Sequence, residues 1–182
     1  FILRMQSLLG EEYAAFSASF DRPLCTGLRL NPLKTGFTGD LSRFSLSPVP
    51  WCPTGYVYDA ASRPGLSSYH AAGLYYLQEP SAMAPAELLD PQPGERVLDL
   101  CAAPGGKSAT LAQYMENKGT LVSCDAAQNR LTLVGGALER LGVACGRVLH
   151  NDAAVYNEAF AGADAVLCDV PCSGLGVLAK KP

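Results

Sequence analysis

Two runs in this chain carry residue types that could do chemistry. The first is Val97–Ser108, VLDLCAAPGGKS. An apolar segment ends in an acid and passes through the small residues Cys101, Ala102 and Ala103. It then turns at Pro104-Gly105-Gly106 and reaches Lys107 and Ser108. Small side chains let a ligand approach the backbone, and glycine accepts φ angles that other residues resist. The amides opening a following helix can meet a carboxylate or a phosphate. The pattern is that of a first strand, a tight turn and a helix N-terminus holding the polar end of a nucleotide-like cofactor. The glycine spacing is not G-x-G-x-x-G, which disfavours a dinucleotide and with it an NAD-dependent enzyme. An ordinary strand-to-helix turn is the plain alternative.

The second run is Cys168–Gly176, CDVPCSGLG. Ligands of open α/β sheets bind at the carboxyl ends of the strands, so Asp169 and Cys172 are expected to face a substrate. A carboxyl group there hydrogen-bonds a base edge or moves a proton. A thiol there serves as nucleophile or general acid if something lowers its pKa. Two further acids lie between the runs. Asp125 ends a predicted strand, where an acid accepts from both ribose hydroxyls or simply caps a helix. Asp152 follows the next strand, where an acid receives the exocyclic amine of an adenine; Asn151-Asp152 is also an ordinary turn. Cys25, Cys52, Cys124, Cys145 and Cys168 read as small buried hydrophobes.

Alternating elements must position these groups. From Arg96 onward the sequence predicts strands at Arg96–Leu100, Thr120–Cys124, Val148–Leu149 and Ala165–Cys168. Helices are predicted at Ser108–Met115 and Asn129–Leu141. Strands alternating with helices imply a parallel sheet with right-handed crossovers, and four strands make an incomplete one. Upstream, residues 1–20 read as one helix stopped by Asp21-Arg22-Pro23. Leu28–Leu30 reads as a short strand. Residues 36–68, rich in Pro, Gly and Ser, read as irregular strands and turns. Tyr69–Leu89 reads as helix-like, with Pro80 as an internal boundary and Leu74, Leu77, Met83 and Leu88 as core contacts.

The 182 residues are 48% hydrophobic, enough for a sizeable core. A net charge of −3 does not advertise nucleic-acid binding, though a local basic patch would suffice. No run approaches the roughly 18 apolar residues of a membrane span. An odd set of seven cysteines, with no CxxC pair and with only His70 and His150 as histidines, points to a reducing cytosol. No metal site is expected. Because the chain opens on Phe1 and closes on Pro182 without a stop signal for a fold, it is expected to be a piece of a longer one.

The two runs resemble those of the RNA (cytosine-5) methyltransferases of the Nop2/Sun family. That family's cofactor loop reads almost as CAAPGGKS at 101–108, and its substrate loop almost as DVPCSGLG at 169–176, with Ala more usual where Val170 stands. LRLNPLK at 28–34, YHAAGLYYLQEPSAM at 69–83 and ERLGV at 139–143 resemble the bacterial branch that modifies ribosomal RNA. The resemblance spans nearly the whole chain. It implies a Rossmann-like S-adenosylmethionine-dependent methyltransferase fold, with residues 69–182 the N-terminal part of the catalytic domain. Residues 1–68 then form a small α+β domain that is either a structural cap or an RNA-guiding module.

The resemblance further implies S-adenosylmethionine as methyl donor and RNA, most simply ribosomal RNA, as partner of a cytoplasmic monomer. The donor's contacts would be Cys101, Ala102, Ala103, Pro104, Gly105, Gly106, Lys107, Asp125, Asp152 and Asp169. Lys107 and Asp169 would hold and protonate a cytosine displaced from its stack. Cys172 would assist release of a covalent adduct. In the family the attacking cysteine lies in a later Thr-Cys segment. None precedes Pro182, so the piece alone is expected not to methylate RNA.

Two rivals stand beside this reading. Amino-methylating enzymes carry a similar loop, but with Pro-Pro and an aromatic residue where this chain has Pro171-Cys172-Ser173. A non-catalytic RNA-binding or ribosome-assembly factor could also retain the fold, although it would have no need of the full set of loop and acids.

Overall fold

The computed structural model describes residues 1–21, 25–34 and 40–172. The chain falls into two compact units, Phe1–Cys25 with Pro171–Pro182, and Thr26–Val170. In the first, the single helix expected over 1–20 is interrupted. Helix α1 spans Ile2–Leu9 and α2 spans Tyr13–Ala18, with a turn at Gly10–Glu12 between them. Gly10 takes φ 51° and ψ −119°, a positive-φ conformation open to glycine that ends α1. Phe16 meets Phe20 edge-on at 5.1 Å and Phe1 at 6.4 Å, yet neither helix contains a buried residue.

The second unit contains two four-stranded sheets. The first is antiparallel: β1 (Gly27–Leu30), β2 (Ser47–Val49), β3 (Cys52–Val57) and β4 (Tyr75–Leu77), in the order β2-β3-β1-β4. Its core is Leu28, Phe44 and Tyr75. The stretch from residue 40 to 68 forms short strands and turns, in keeping with its composition.

Of the two helices expected over Tyr69–Leu89, divided at Pro80, the second forms and the first gives way to a single helical turn and a strand. Helix α3 (Ser68–Ala71) is followed by β4 and then by α4 (Pro80–Leu89). The reason is tertiary. Leu30 pairs with Tyr75 and Leu28 with Leu77, which buries Tyr75 completely against Leu28 and Phe44. Pairing with β1 outweighs local helical spacing. Pro80 is the first residue of α4, where its missing N–H costs nothing. Met83 is core, as expected, whereas Leu88 is 86% exposed, contrary to expectation.

The second sheet is parallel: β5 (Arg96–Asp99), β6 (Thr120–Asp125), β7 (Gly146–His150) and β8 (Ala165–Leu167), in the order β7-β6-β5-β8. This is an α/β layer with the strands where the sequence predicted them. Helices α5 (Gly106–Tyr114) and α6 (Leu131–Arg140) complete the crossovers. Alternate strand residues point to opposite faces. Val97 and Leu121 pack with Leu111, Ala112 and Met115, while Leu98, Val122 and Cys124 pack with Phe160 and Ala163. Each large side chain so buried contributes about 1.5–3 kcal/mol.

Helix α5 is covered on almost every side, with only Lys107 and Tyr114 not buried, because its residues are small or apolar. A seam of buried polar groups joins it to the antiparallel sheet. Arg29, 1% exposed, donates to the side chains of both Gln78 and Gln113. Gln113 donates to Asn31 at 2.9 Å, and Asn31 donates to the carbonyls of Gly73 and Leu141 at 2.7 and 2.8 Å. Burial pulls the Arg29 pKa down to about 10, against opposing pulls from Cys52, Tyr114 and Glu87. Arg29 Nη2 and Glu87 Oε1 are buried without hydrogen-bond partners among the described residues.

Candidate active site

The loop between β5 and α5 is built from backbone bonds at the carboxyl end of the parallel sheet. The Leu100 amide donates to the Leu167 carbonyl at 3.0 Å, and the Ala102 amide to Cys124 at 2.7 Å. The Gly105 amide closes the turn on Ala102 at 2.7 Å, and the Ala103–Pro104 peptide is cis. The two glycines are there for different reasons. Gly105 takes φ 104°, which a side chain resists. Gly106 needs no unusual φ, contrary to the expectation from sequence. A Cβ there would lie 2.5 Å from Tyr76 Cε1, so the aromatic ring of β4 demands the glycine.

Two acids fasten this loop. Asp99 is 1% exposed and accepts from the Ser108 hydroxyl at 2.6 Å. Burial pushes its carboxyl pKa up, and the Ser108 hydrogen bond works against that. Asp125 is 5% exposed. It accepts from the Ala103 amide at 3.2 Å and the Ala127 amide at 3.0 Å, and Arg130 approaches it at 3.6 Å. Arg130 also donates to the Ala103 carbonyl at 3.0 Å. The strand-end acid is therefore tied to the cofactor-type loop. An ionised carboxylate has about four acceptor positions, so two amides leave room for ligand hydroxyls.

Lys107, in the first turn of α5, stands 2.6 Å from Asp169 Oδ2. Asp152 is exposed and accepts from the Ala154 amide at 2.9 Å, the geometry of a turn. Cys172 is exposed and belongs to the first unit. Ser173 to Gly176 of the second run lie outside the described residues. Of the cysteines read as buried, Cys52 and Cys124 are buried and Cys145 is partly so. Cys25 and Cys168 are exposed instead, because one precedes β1 and the other follows β8, beyond the packed strands.

A cavity of about 180 Å³ opens beside the loop, lined by Cys101, Ala103, Gly106 and Lys107, and by Tyr76 and Gln78 from the end of the antiparallel sheet. Those last two, together with Arg130, escaped the sequence reading, which took Asp99 only as the acid ending the first strand. For Tyr76 and Gln78 the available signal was the alternation Tyr75-Tyr76-Leu77-Gln78, masked by helical spacing around it. Among the described residues, no helix is long and apolar enough to cross a membrane.

Comparison with known proteins decides the lineage. The family described as 16S rRNA methyltransferase RsmB/F matches residues 86–182, and the N-terminal domain of 16S rRNA methyltransferase RsmF matches residues 1–80. The chain belongs to the RsmB/F family. Among RsmB/F relatives, it is 40% identical over 179 residues to the human 28S rRNA (cytosine(4447)-C(5))-methyltransferase, covering 94% of this chain and 22% of that protein. It is 36% identical over 194 residues to ribosomal RNA small subunit methyltransferase F of Erwinia tasmaniensis, covering 99% of this chain and 41% of that protein. The chain thus spans well under half the length of these relatives. A methyltransferase homolog protein from Pyrococcus horikoshii shares the fold with a TM-score of 0.84 at 35% identity, over 96% of this chain and 59% of its own. The RsmB/F loop sequence and the acids around it therefore sit on a methyltransferase scaffold.

Proposed function

We propose that the protein carrying these residues is an S-adenosylmethionine-dependent methyltransferase acting on carbon 5 of a cytosine in ribosomal RNA. The observation that carries the reading is the Lys107–Asp169 pair beside a loop that Asp125 ties to the second strand. The relatives, named for rRNA and cytosine-C5 methylation, support the substrate class. They give no support to a non-catalytic assembly factor.

The residues fit the methyl donor. The small residues Cys101, Ala102 and Ala103 line the cavity beside the loop, and Asp125 retains acceptor capacity for ribose hydroxyls. Asp152 would meet the adenine amine, since the Ala154 amide takes only one acceptor position of its carboxyl group. Bound S-adenosylmethionine supplies an electrophilic methyl group. The Lys107–Asp169 pair holds the cytosine ring and protonates it, the ammonium being the source of the proton, which makes carbon 6 open to thiolate addition. The resemblance places the attacking thiolate in a Thr-Cys segment, and these 182 residues contain none. Cys172 is accordingly assigned to release of the adduct. Residues 1–68 are assigned to guiding the RNA, and the enzyme to the cytoplasm as a monomer.

The test is transfer of labelled methyl groups from S-adenosylmethionine to bacterial ribosomal RNA by the full-length protein that carries these residues, with the product nucleoside identified. The expected product is 5-methylcytosine, and it should vanish when Asp169 is replaced by Ala. Label on an exocyclic amine or a ribose would overturn the assignment.

A further inference from the structure

Tyr76 belongs to β4 of the antiparallel sheet, yet it lines the cavity together with Gly106 and Lys107. Its ring edge occupies the space a Cβ at Gly106 would need, and its hydroxyl oxygen lies 3.1 Å from that position. The hydroxyl therefore sits over the start of α5. It makes no hydrogen bond among the described residues. The Arg140 guanidinium lies over the ring, 5.7 Å from its centroid, and pairs with no carboxylate among the described residues. Three cations, Arg140, Lys107 and Arg29, act on the phenol, and no acid does. Burial is the larger influence and pushes the phenol pKa up, so at neutral pH the group is a hydrogen-bond donor. A donor without a partner, in a positive field at a cavity wall, complements an anion.

We infer that Tyr76 is a binding residue of the methyl-donor pocket, its hydroxyl donating a hydrogen bond to the α-carboxylate at the donor's amino-acid end. The inference rests on the methyl-donor assignment made above. It also makes the antiparallel sheet a direct contributor to the pocket rather than a support for it. A carboxylate and an RNA phosphate are both anions, and the experiment separates them.

Binding of S-adenosylmethionine, S-adenosylhomocysteine and 5′-methylthioadenosine would be measured by calorimetry, without RNA, for the unaltered protein and for Tyr76→Phe. The last ligand lacks the amino-acid end. The phenylalanine keeps the ring against Gly106, and an unchanged melting temperature confirms the fold. The expected result is about tenfold weaker binding of the first two ligands, the scale of one hydrogen bond to a charged group. Methylthioadenosine binding should be unchanged. Equal weakening of all three ligands, or of none, overturns the inference. So does a loss confined to binding of ribosomal RNA, measured for both proteins in a separate filter-binding titration, which would make the anion a phosphate. If the unaltered protein binds none of the three, the methyl-donor assignment falls and this inference with it.

Discussion

The Lys107 ammonium stands 2.6 Å from Asp169 Oδ2, and this contact joins the first turn of α5 to the residues that follow β8. The two groups come from the two sequence runs that carry the chemistry. Their side chains are 25% and 47% exposed, so the pair adds little to stability and its value lies in aiming the carboxyl group. In the full-length protein that carries these residues, Asp169→Asn is expected to lower the rate of methyl transfer about 100-fold, the scale of a lost proton-transfer group. Its unfolding free energy should stay within about 1 kcal/mol of the unaltered protein. Single-turnover assays with denaturant titration check both halves.

Asp125 links three partners, the amides of Ala103 and Ala127 and the guanidinium of Arg130. Asp125→Ala should weaken S-adenosylmethionine binding between about 10- and 100-fold, since hydrogen bonds to a charged group are worth about 1.5–3 kcal/mol. Asp125→Asn, which keeps one acceptor, should fall between. Calorimetric titration of the three proteins gives the order.

Gly106 and Tyr76 compete for one volume. Gly106→Ala should destabilise the protein by about 1–3 kcal/mol through overpacking. In a Tyr76→Ala background the same substitution should cost much less, because the opposing ring is gone. A double-mutant cycle from urea melts measures the coupling, and additive effects would contradict the contact.

Asp99 gives a pH signature. Its folded pKa is raised by burial, so between the unfolded value near 3.9 and the raised folded value the native state binds more protons than the unfolded chain. Stability from this group is therefore greatest at the acid end and declines as pH rises through that window. Asp99→Asn cannot ionise and still accepts from Ser108. Thermal melts from about pH 4 to about pH 7 should show the unaltered protein losing ground to the variant as pH increases.

Arg29 donates to Gln78 and Gln113 from a fully buried position. Arg29→Met leaves both carboxamide oxygens without that donor. A loss of about 3 kcal/mol is expected, since each buried group left unsatisfied costs about 1–3 kcal/mol. Gln113 lies on α5, so cofactor affinity should fall as well. Denaturant unfolding and calorimetry report the two effects separately.

The sequence by itself determined the parallel layer. Apolar runs at Arg96–Asp99, Thr120–Asp125 and Ala165–Leu167, separated by helical periods and ended by acids or small residues, leave one arrangement for the loop at 101–107. Local patterning suffices there because each strand, turn and helix is contiguous in the chain. Tertiary structure alone decided what surrounds that loop. Tyr75–Leu77 is a strand only because β1 offers it unpaired backbone and a core, so a run with helical spacing supplies Tyr76 and Gln78 to the cavity. Gly106 is glycine on account of a ring 30 residues earlier in the chain, and Arg29 reaches α5 from 84 residues before Gln113. Such contacts depend on packing between two sheets, which no periodicity along one segment encodes.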